Sequence, residues 1–236
     1  MRAKHAAAIG GGTAGPAVKR SGPWLIAEFR DPQAMLSSAI VRGGRVRAQT
    51  VAWLEVCSDD LRPPIDPRRF LRARMAARGL GGVGLLTSRD LDAYVDVART
   101  AGGITVRTIA TVGLGNALRV GDAAPSARVG TINILCAVSA RLRPEAMVEA
   151  LSIAAEARTA AILEAAVPSR VSGLLATGTG TDCIIVAAGA QGRAEPYAGK
   201  HTMLGQLIGT SVGEAVRQGA LAWKLEQRAR QTAARG

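Results

Sequence analysis

The stretch SGLLATGTGTDCIIVAAGAQGRAEPYAGKHTMLGQLIG, residues 172–209, decides how the whole chain is read. It passes from a Gly/Thr-rich loop into an apolar run, crosses a polar turn and enters an amphipathic helix. The loop is Thr177-Gly178-Thr179-Gly180-Thr181-Asp182, and Cys183–Ala188, five apolar residues and one cysteine, reads as a buried β-strand. Tyr197-Ala198-Gly199-Lys200-His201-Thr202 then stands just before the helix. Hydroxyls and a carboxylate therefore sit at one end of a short strand, an ammonium and an imidazole at the other. Six residues of strand span about 20 Å, so the two clusters meet only if residues 191–199 fold back.

Outward from this stretch, residues 144–166 read as a helix with Glu145 and Glu149 near its positive end. Ala150, Ala154, Ala157, Ala161 and Ala165 form a small-residue ridge along it. The last helix, residues 202–231, has a ridge in Gly205, Gly209 and Gly213. Each glycine costs a helix about 1 kcal/mol relative to alanine, so the spacing implies close backbone approach between these helices or onto a sheet. Glu156 stands mid-helix with Ser152 and Thr159 on its side, either a general base or a solvated charge.

The front half reads as strands at 24–29, 35–41 and 45–56, the last with Val46, Ala48, Thr50, Ala52, Leu54 and Val56 on one face. Gly43-Gly44 predicts a tight antiparallel hairpin. Asp66 is an N-cap with Pro67 at the first helical position, opening a helix over 68–78 that Gly79 ends. Further strands are predicted at 83–86, 94–98 and 105–112, the last two joined at Gly102-Gly103. Asn116 and Asn133, the two asparagines of the chain, flank Gly-rich loops leading to a strand over 134–140. Asparagine is also an ordinary turn residue. The expected fold class is α+β: a mainly antiparallel or mixed sheet covered by two long Ala/Gly-rich helices. Residues 1–22 are read as a flexible tail and 23–231 as a single catalytic domain.

Composition narrows the function classes. The formal charge is +12, and all but four of the 30 basic residues are arginine. Aromatic residues make up only 3% and are not interleaved with the arginines, so no stacking platform for nucleic acid emerges. Cys57, Cys136 and Cys183 lie in apolar runs and read as buried thiols; with no apolar leader, the chain is expected to be cytoplasmic. His5 and His201 are the only histidines and there is no CxxC, so no metal cofactor is expected. The run Gly10-Gly11-Gly12-Thr13-Ala14-Gly15 matches GxGxxG without a strand before it, and GxSxG and P-loop signatures are absent. Glycines in the 177–182 loop leave backbone N–H groups open to an anion or oxyanion. With Asp182, Lys200 and His201, the stretch suits proton transfer at a carbonyl.

Several blocks together resemble the adenosylcobinamide amidohydrolase (CbiZ) family. They are Leu36-Ser37-Ser38-Ala39 with Gly43-Gly44, Val83-Gly84-Leu85-Leu86-Thr87, Thr111-Val112-Gly113-Leu114-Gly115-Asn116-Ala117 and Gly130-Thr131-Ile132-Asn133-Ile134. Glu156-Ala157 with Thr159-Ala160-Ala161, residues 176–182, and residues 197–202 with Leu204-Gly205 and Leu207-Ile208-Gly209 complete the set. The resemblance implies a cobalamin-salvage enzyme that hydrolyses the amide between the aminopropanol arm and the corrin ring. It implies a corrinoid substrate, the cobalt being the substrate's own. No run approaches the length of a membrane span, so no membrane partner is expected, and a homo-oligomer is left open. Placed on these motifs, Asp182 or Glu156 is the candidate base and His201 or Lys200 the proton donor. Asn116, Asn133, Thr177, Gly178, Thr179, Gly180 and Thr181 are the candidate substrate and oxyanion contacts. A Thr179 or Thr181 nucleophile is the alternative chemistry. A non-catalytic corrinoid-binding protein and a basic nucleic-acid-binding protein are the competing classes.

Overall fold

The computed structural model describes residues 15–125 and 130–233. Twelve strands and three α-helices form among them. The strands are β1 (Ala17–Ser21), β2 (Trp24–Ser37), β3 (Gly44–Glu55), β4 (Val83–Thr87), β5 (Val95–Ala101), β6 (Ile104–Val112), β7 (Ala117–Leu118), β8 (Ile132–Val138), β9 (Arg141–Leu142), β10 (Gly178–Thr179), β11 (Cys183–Ala188) and β12 (Ala194–Glu195). One mixed sheet takes the order β4-β3-β2-β11-β8-β6-β5, with β1 on the free stretch of β2. Its pairs are antiparallel except β3–β4 and β8–β11. The α+β reading with a mixed sheet is thus what the chain adopts.

The helices are α1 (Pro67–Ala77), α2 (Pro144–Glu164) and α3 (Met203–Ala233). Both long helices lie on one face of the sheet. Ala150, Ala154, Ala161, Leu204, Ile208, Val212 and Val216 meet Val106, Ile132, Ile134 and Val186 there. A second core fills the opposite face, where the bent β2 and β3, with β4, bring Leu25, Met35, Trp53 and Leu85 against Ile109, Leu135 and Ile185. Helix α1 buries Leu71 and Met75; Asp66 caps it by accepting the Arg69 N–H at 2.8 Å, with Pro67 as its first residue.

Several expectations are corrected. Residues 24–29 and 35–37 are not two strands but parts of one strand with a slip in register between Glu28 and Gln33, and residues 38–41, expected in the second strand, lie beyond its end. Pro32 lies inside the slip, where the missing N–H costs no ladder bond. The slip reverses the pleat of β3: Ala48 shares the second core with Val51 and Trp53, whereas Ala52, Leu54 and Val56 face α1. Ala17–Ser21, expected in the tail, is a strand, because Gly22 at φ 58° turns the chain back onto Trp24. Residues 1–14, with His5 and most of the Gly10–Gly15 run, lie outside the described residues.

The glycine ridge has different causes along its length. A Cβ at Gly205 would strike the Gly199 carbonyl, and one at Gly219 would meet Val112 at 2.5 Å. At Gly209 the only neighbour is Ile153, at 4.0 Å, so no close helix approach requires that glycine. Cys57 is exposed, not buried, whereas Cys136 and Cys183 are buried as expected. Among the described residues no helix is long and apolar enough to cross a membrane.

Candidate active site

Strand register gathers chemistry at one end of the sheet. Strand β6 ends where β8 begins, and β11 begins on the other side of β8: Thr111 stands opposite Asn133, and Asn133 opposite Cys183. The end of β2 arrives here as well, with Ser37 opposite Ile185. The end of β4 is tied in by the Asn133 side chain, whose Nδ2 donates to the Leu86 carbonyl at 2.8 Å. Thr111, Asn133 and Ser37 are all buried, and Thr111 Oγ1 has no hydrogen-bond partner. Burial pushes the Cys183 thiol up to about 12 despite a hydrogen bond from Ser38, so it is an uncharged thiol at neutral pH and a poor nucleophile. Cys136 is raised to about 12 by the same cause.

The loop before β11 is built around one carboxylate. Asp182 Oδ2 accepts from the Thr179 N–H at 3.0 Å and pairs with Arg158 of α2. Its Oδ1 accepts from the Thr179 hydroxyl, and from the Ile132 N–H at 3.1 Å. Only 11% of the Asp182 side chain is exposed, so these bonds act with little competition from water. Gly178 is required here, because a Cβ would collide with both Arg158 and Asp182. Gly180 leaves space for the Asn116 amide, whose Nδ2 would lie 2.5 Å from a Cβ at that position. Asn116 is buried; its Oδ1 accepts from Arg170 at 2.7 Å and its carbonyl from the Gly180 N–H at 3.2 Å. Thr131 Oγ1 donates to the Thr181 carbonyl at 2.7 Å, and Thr177 Oγ1 accepts the Val120 N–H at 2.8 Å.

The loop is therefore not the open nest of N–H groups expected from its glycines. The Thr177, Thr179 and Gly180 N–H groups all donate within the protein. What the loop offers instead is a hydroxyl held on a carboxylate, next to a side-chain amide. Asp122 braces the neighbouring segment. Hydrogen bonds from the Ser169 and Ser172 hydroxyls and the Arg119 N–H hold its carboxyl below the usual range.

Lys200, His201 and Glu156 form a separate group. The loop after β11 is anchored at the far end of the sheet, where β12 pairs with β9 directly after β8. Glu149 accepts the Ala198 N–H there at 2.6 Å, and Lys200 pairs with Glu156. Those two side chains are 74% and 54% exposed, and His201 is exposed beside them. The cap of α3 is Thr202, whose Oγ1 accepts the Gly205 N–H at 2.9 Å. Residues 191–200 run back along α2 from Glu149 to Glu156, but among the described residues no hydrogen bond or ion pair joins Lys200 or His201 to Asp182. The structure thus brings Asp182, residues 177–181, Asn116 and Asn133 together and leaves Glu156, Lys200 and His201 as a distinct surface cluster.

Sequence reasoning missed Arg158, Arg170 and Asp122. Their partners lie 24, 54 and 47 residues away, and no local pattern announces such pairs. Among the described residues no three His, Cys, Asp or Glu side chains gather as a metal-ligand set.

Comparison with known proteins by sequence places the chain among the amidohydrolases. Residues 12–228 match the adenosylcobinamide amidohydrolase family (CbiZ), and the chain belongs to that family. It is 29% identical over 190 residues to the adenosylcobinamide amidohydrolase of Methanosarcina mazei, covering 76% of this chain and 86% of that protein. It is likewise 29% identical over 203 residues to the Halobacterium salinarum protein of the same name, covering 81% and 82%. A shorter match, 38% identical over 97 residues, links it to an uncharacterized protein of Methanocaldococcus jannaschii; it spans 41% of this chain and only 38% of that one.

Proposed function

We propose that the chain hydrolyses the amide joining the aminopropanol arm of adenosylcobinamide to its corrin ring. The products are aminopropanol and adenosylcobyric acid, a salvage step of cobalamin metabolism in the cytoplasm. The observation that carries this reading is the convergence at one sheet end of five family-like blocks around a hydroxyl already bonded to a carboxylate. They are residues 36–39, 83–87, 111–117, 130–134 and 176–182.

In this reading Thr179 is the nucleophile and Asp182 its base, the pairing that covalent amide hydrolysis needs within hydrogen-bond reach. Thr179 Oγ1 attacks the amide carbon and its proton passes to Asp182. The Asn116 amide beside Gly180 donates to the developing oxyanion, a contribution that preorganised donors make worth about 10²–10³-fold. Collapse breaks the C–N bond and Asp182 returns the proton to the departing amine; water then cleaves the Thr179 ester, Asp182 taking the water's proton and passing it to Thr179 Oγ1 as the acid leaves. Arg158 keeps the carboxylate facing the loop. Asn133 acts one step back by fixing the end of β4.

The direct test incubates the pure protein with adenosylcobinamide, without added metal or nucleotide, and follows adenosylcobyric acid and free aminopropanol by mass. Both products should appear in equal amounts. Tight corrinoid binding without release of aminopropanol would replace this reading with a non-catalytic binding protein.

A further inference from the structure

We infer that a cleft beside the start of β11 is an anion site for a phosphate ester carried on the leaving arm, so that the preferred substrate is a corrinoid with a phosphorylated aminopropanol. This inference rests on the amide-hydrolysis reading. The cleft has a volume of about 430 Å³ and is lined by Ser37, Ser38, Arg42, Gly43, Arg68 and Arg72 among others. Two hydroxyls thus lie among three guanidinium-bearing residues.

Those three charges are not balanced by close ion pairs, although Asp66 acts on Arg68 at longer range and the Arg42 guanidinium donates to the Arg47 carbonyl at 3.1 Å. Arg42, Arg68 and Arg72 take part in none of the ion pairs among the described residues. The acid nearest Arg68 in sequence, Asp66, has its carboxylate on the Arg69 N–H at the head of α1. Like charges gathered in one cleft repel, and a divalent anion relieves that repulsion. Guanidinium forks match phosphate oxygens two at a time, which an ammonium cannot do. The backbone is shaped to place one of the three. Arg42 lies at φ 54°, in the left-handed region, followed by Gly43, where any Cβ would collide with the Ala39 carbonyl.

The cleft also adjoins the proposed reaction centre. Ser38, on its wall, donates to the Cys183 thiol, and Cys183 directly follows Asp182. The end of β2 that carries Ser37 and Ser38 lies at the same sheet end as the start of β11, so an arm leaving an amide at Thr179 departs on the side of the sheet end that the cleft occupies. A neutral hydroxyl at the arm's end gains little from three cations. A phosphate there, carrying about −1.5 to −2 charges, gains from each of them.

The test compares kcat/KM for adenosylcobinamide and for its phosphate ester at the arm hydroxyl, in the wild type and in the Arg68→Gln/Arg72→Gln variant. Inorganic phosphate is titrated calorimetrically into both proteins at low ionic strength. The wild type should prefer the ester by about tenfold or more, a difference near 1.4 kcal/mol. The variant should bring the ratio close to one and bind inorganic phosphate at least about tenfold more weakly. An unchanged melting temperature shows that the variant is folded, since both arginines are exposed on α1. Equal kcat/KM for the two substrates in the wild type, or a preference that survives in the variant, overturns the inference and leaves amide hydrolysis standing. If neither substrate is cleaved, the amide-hydrolysis reading fails and calorimetry decides the cleft alone. Phosphate binding that is lost in the variant keeps it as an anion site; binding that is absent or unaffected removes it.

Discussion

The two ends of β11 hold similar chemistry in different physical settings. At its start, Asp182 meets Arg158 with the two side chains 11% and 18% exposed, and three further donors complete the carboxylate's shell. On the loop that follows β11, Lys200 meets Glu156 of α2 with both side chains more than half exposed. Both pairs draw on the same helix. Arg158 and Glu156 are two residues apart on α2, about 200° around its axis, so one reaches under the loop while the other faces water. A carboxylate–cation pair in water is screened and contributes about 0–1 kcal/mol. The same pair with little solvent and a full set of donors fixes geometry. Residue type, then, does not separate a site from a surface; the number of bonds held away from water does.

The comparison breaks most visibly in turnover. Thr179→Val and Asp182→Asn should each lose about 10²–10⁴-fold in kcat with substrate binding largely kept, as expected when a nucleophile or its base is removed. His201→Asn should stay within about twofold of the wild type, because an exposed group that makes no bond to Asp182 or Thr179 takes no part. Single-turnover kinetics on adenosylcobinamide measures all three. A large loss at His201 together with an active Thr179→Val variant would move the chemistry to the surface cluster and make Glu156 or Lys200 its partner.

Stability should show the same asymmetry. Asp182→Ala leaves Arg158 without its partner and removes the acceptor for Thr179 and Ile132, costing about 3–5 kcal/mol. At about 2–4 °C per kcal/mol for a chain of this size, the melting temperature should fall by roughly 6–20 °C. Glu156→Ala should change stability by no more than about 0.5 kcal/mol. Equal shifts in the two variants would mean that Asp182 is as solvated as Glu156.

The glycines of α3 sharpen the contrast further. Gly219 lies against Val112 at the Asp182 end, so Gly219→Ala should cost about 1–3 kcal/mol through overpacking. Gly209→Ala, with only Ile153 at 4.0 Å, should gain about 1 kcal/mol from helix propensity. Thermal melts of the two variants should move in opposite directions. A Gly209→Ala variant that melts below the wild type would restore the close helix contact that the ridge of glycines implied in the sequence.

Local signals were legible and long-range ones were not. Asp66, Pro67 and Gly79 bracket α1, Gly102-Gly103 turns β5 into β6, and the apolar run Cys183–Ala188 is β11 to the residue. Each rests on interactions between near neighbours in the chain. The pleat reversal of β3 was hidden because it depends on how β2 slips past it at Pro32. The candidate loop was found from its hydroxyls and Asp182, yet its working arrangement was not. Its N–H groups are engaged by residues from β7 and from Asp182, and its carboxylate by an arginine 24 positions away. Lys200 and His201 looked like site residues because they follow the strand in sequence; in the fold Lys200 meets Glu156 on α2, two residues from the arginine that holds Asp182.

The smallest expected effect concerns the brace behind the site. Arg89 follows β4, its side chain is 5% exposed, and it grips Glu226 near the end of α3 through both guanidinium nitrogens. That contact ties α3 to the segment whose Leu86 carbonyl Asn133 holds. The hydrogen bond from Arg89, aided by its charge, keeps the Glu226 carboxyl below its usual range. A carboxyl depressed in the folded state stabilises the fold above its ordinary value near 4.3, and that contribution disappears as pH falls through the lower folded value. Glu226→Gln should therefore melt slightly below the wild type at neutral pH, and the gap should close as the pH drops below about 4.3. Added salt should narrow the gap only partly, because one partner is buried. Glu156→Gln should show almost no gap at any pH. A Glu226 gap that persists unchanged into acid would mean that packing by the side-chain stem, not the Arg89 pair, fastens this end of α3.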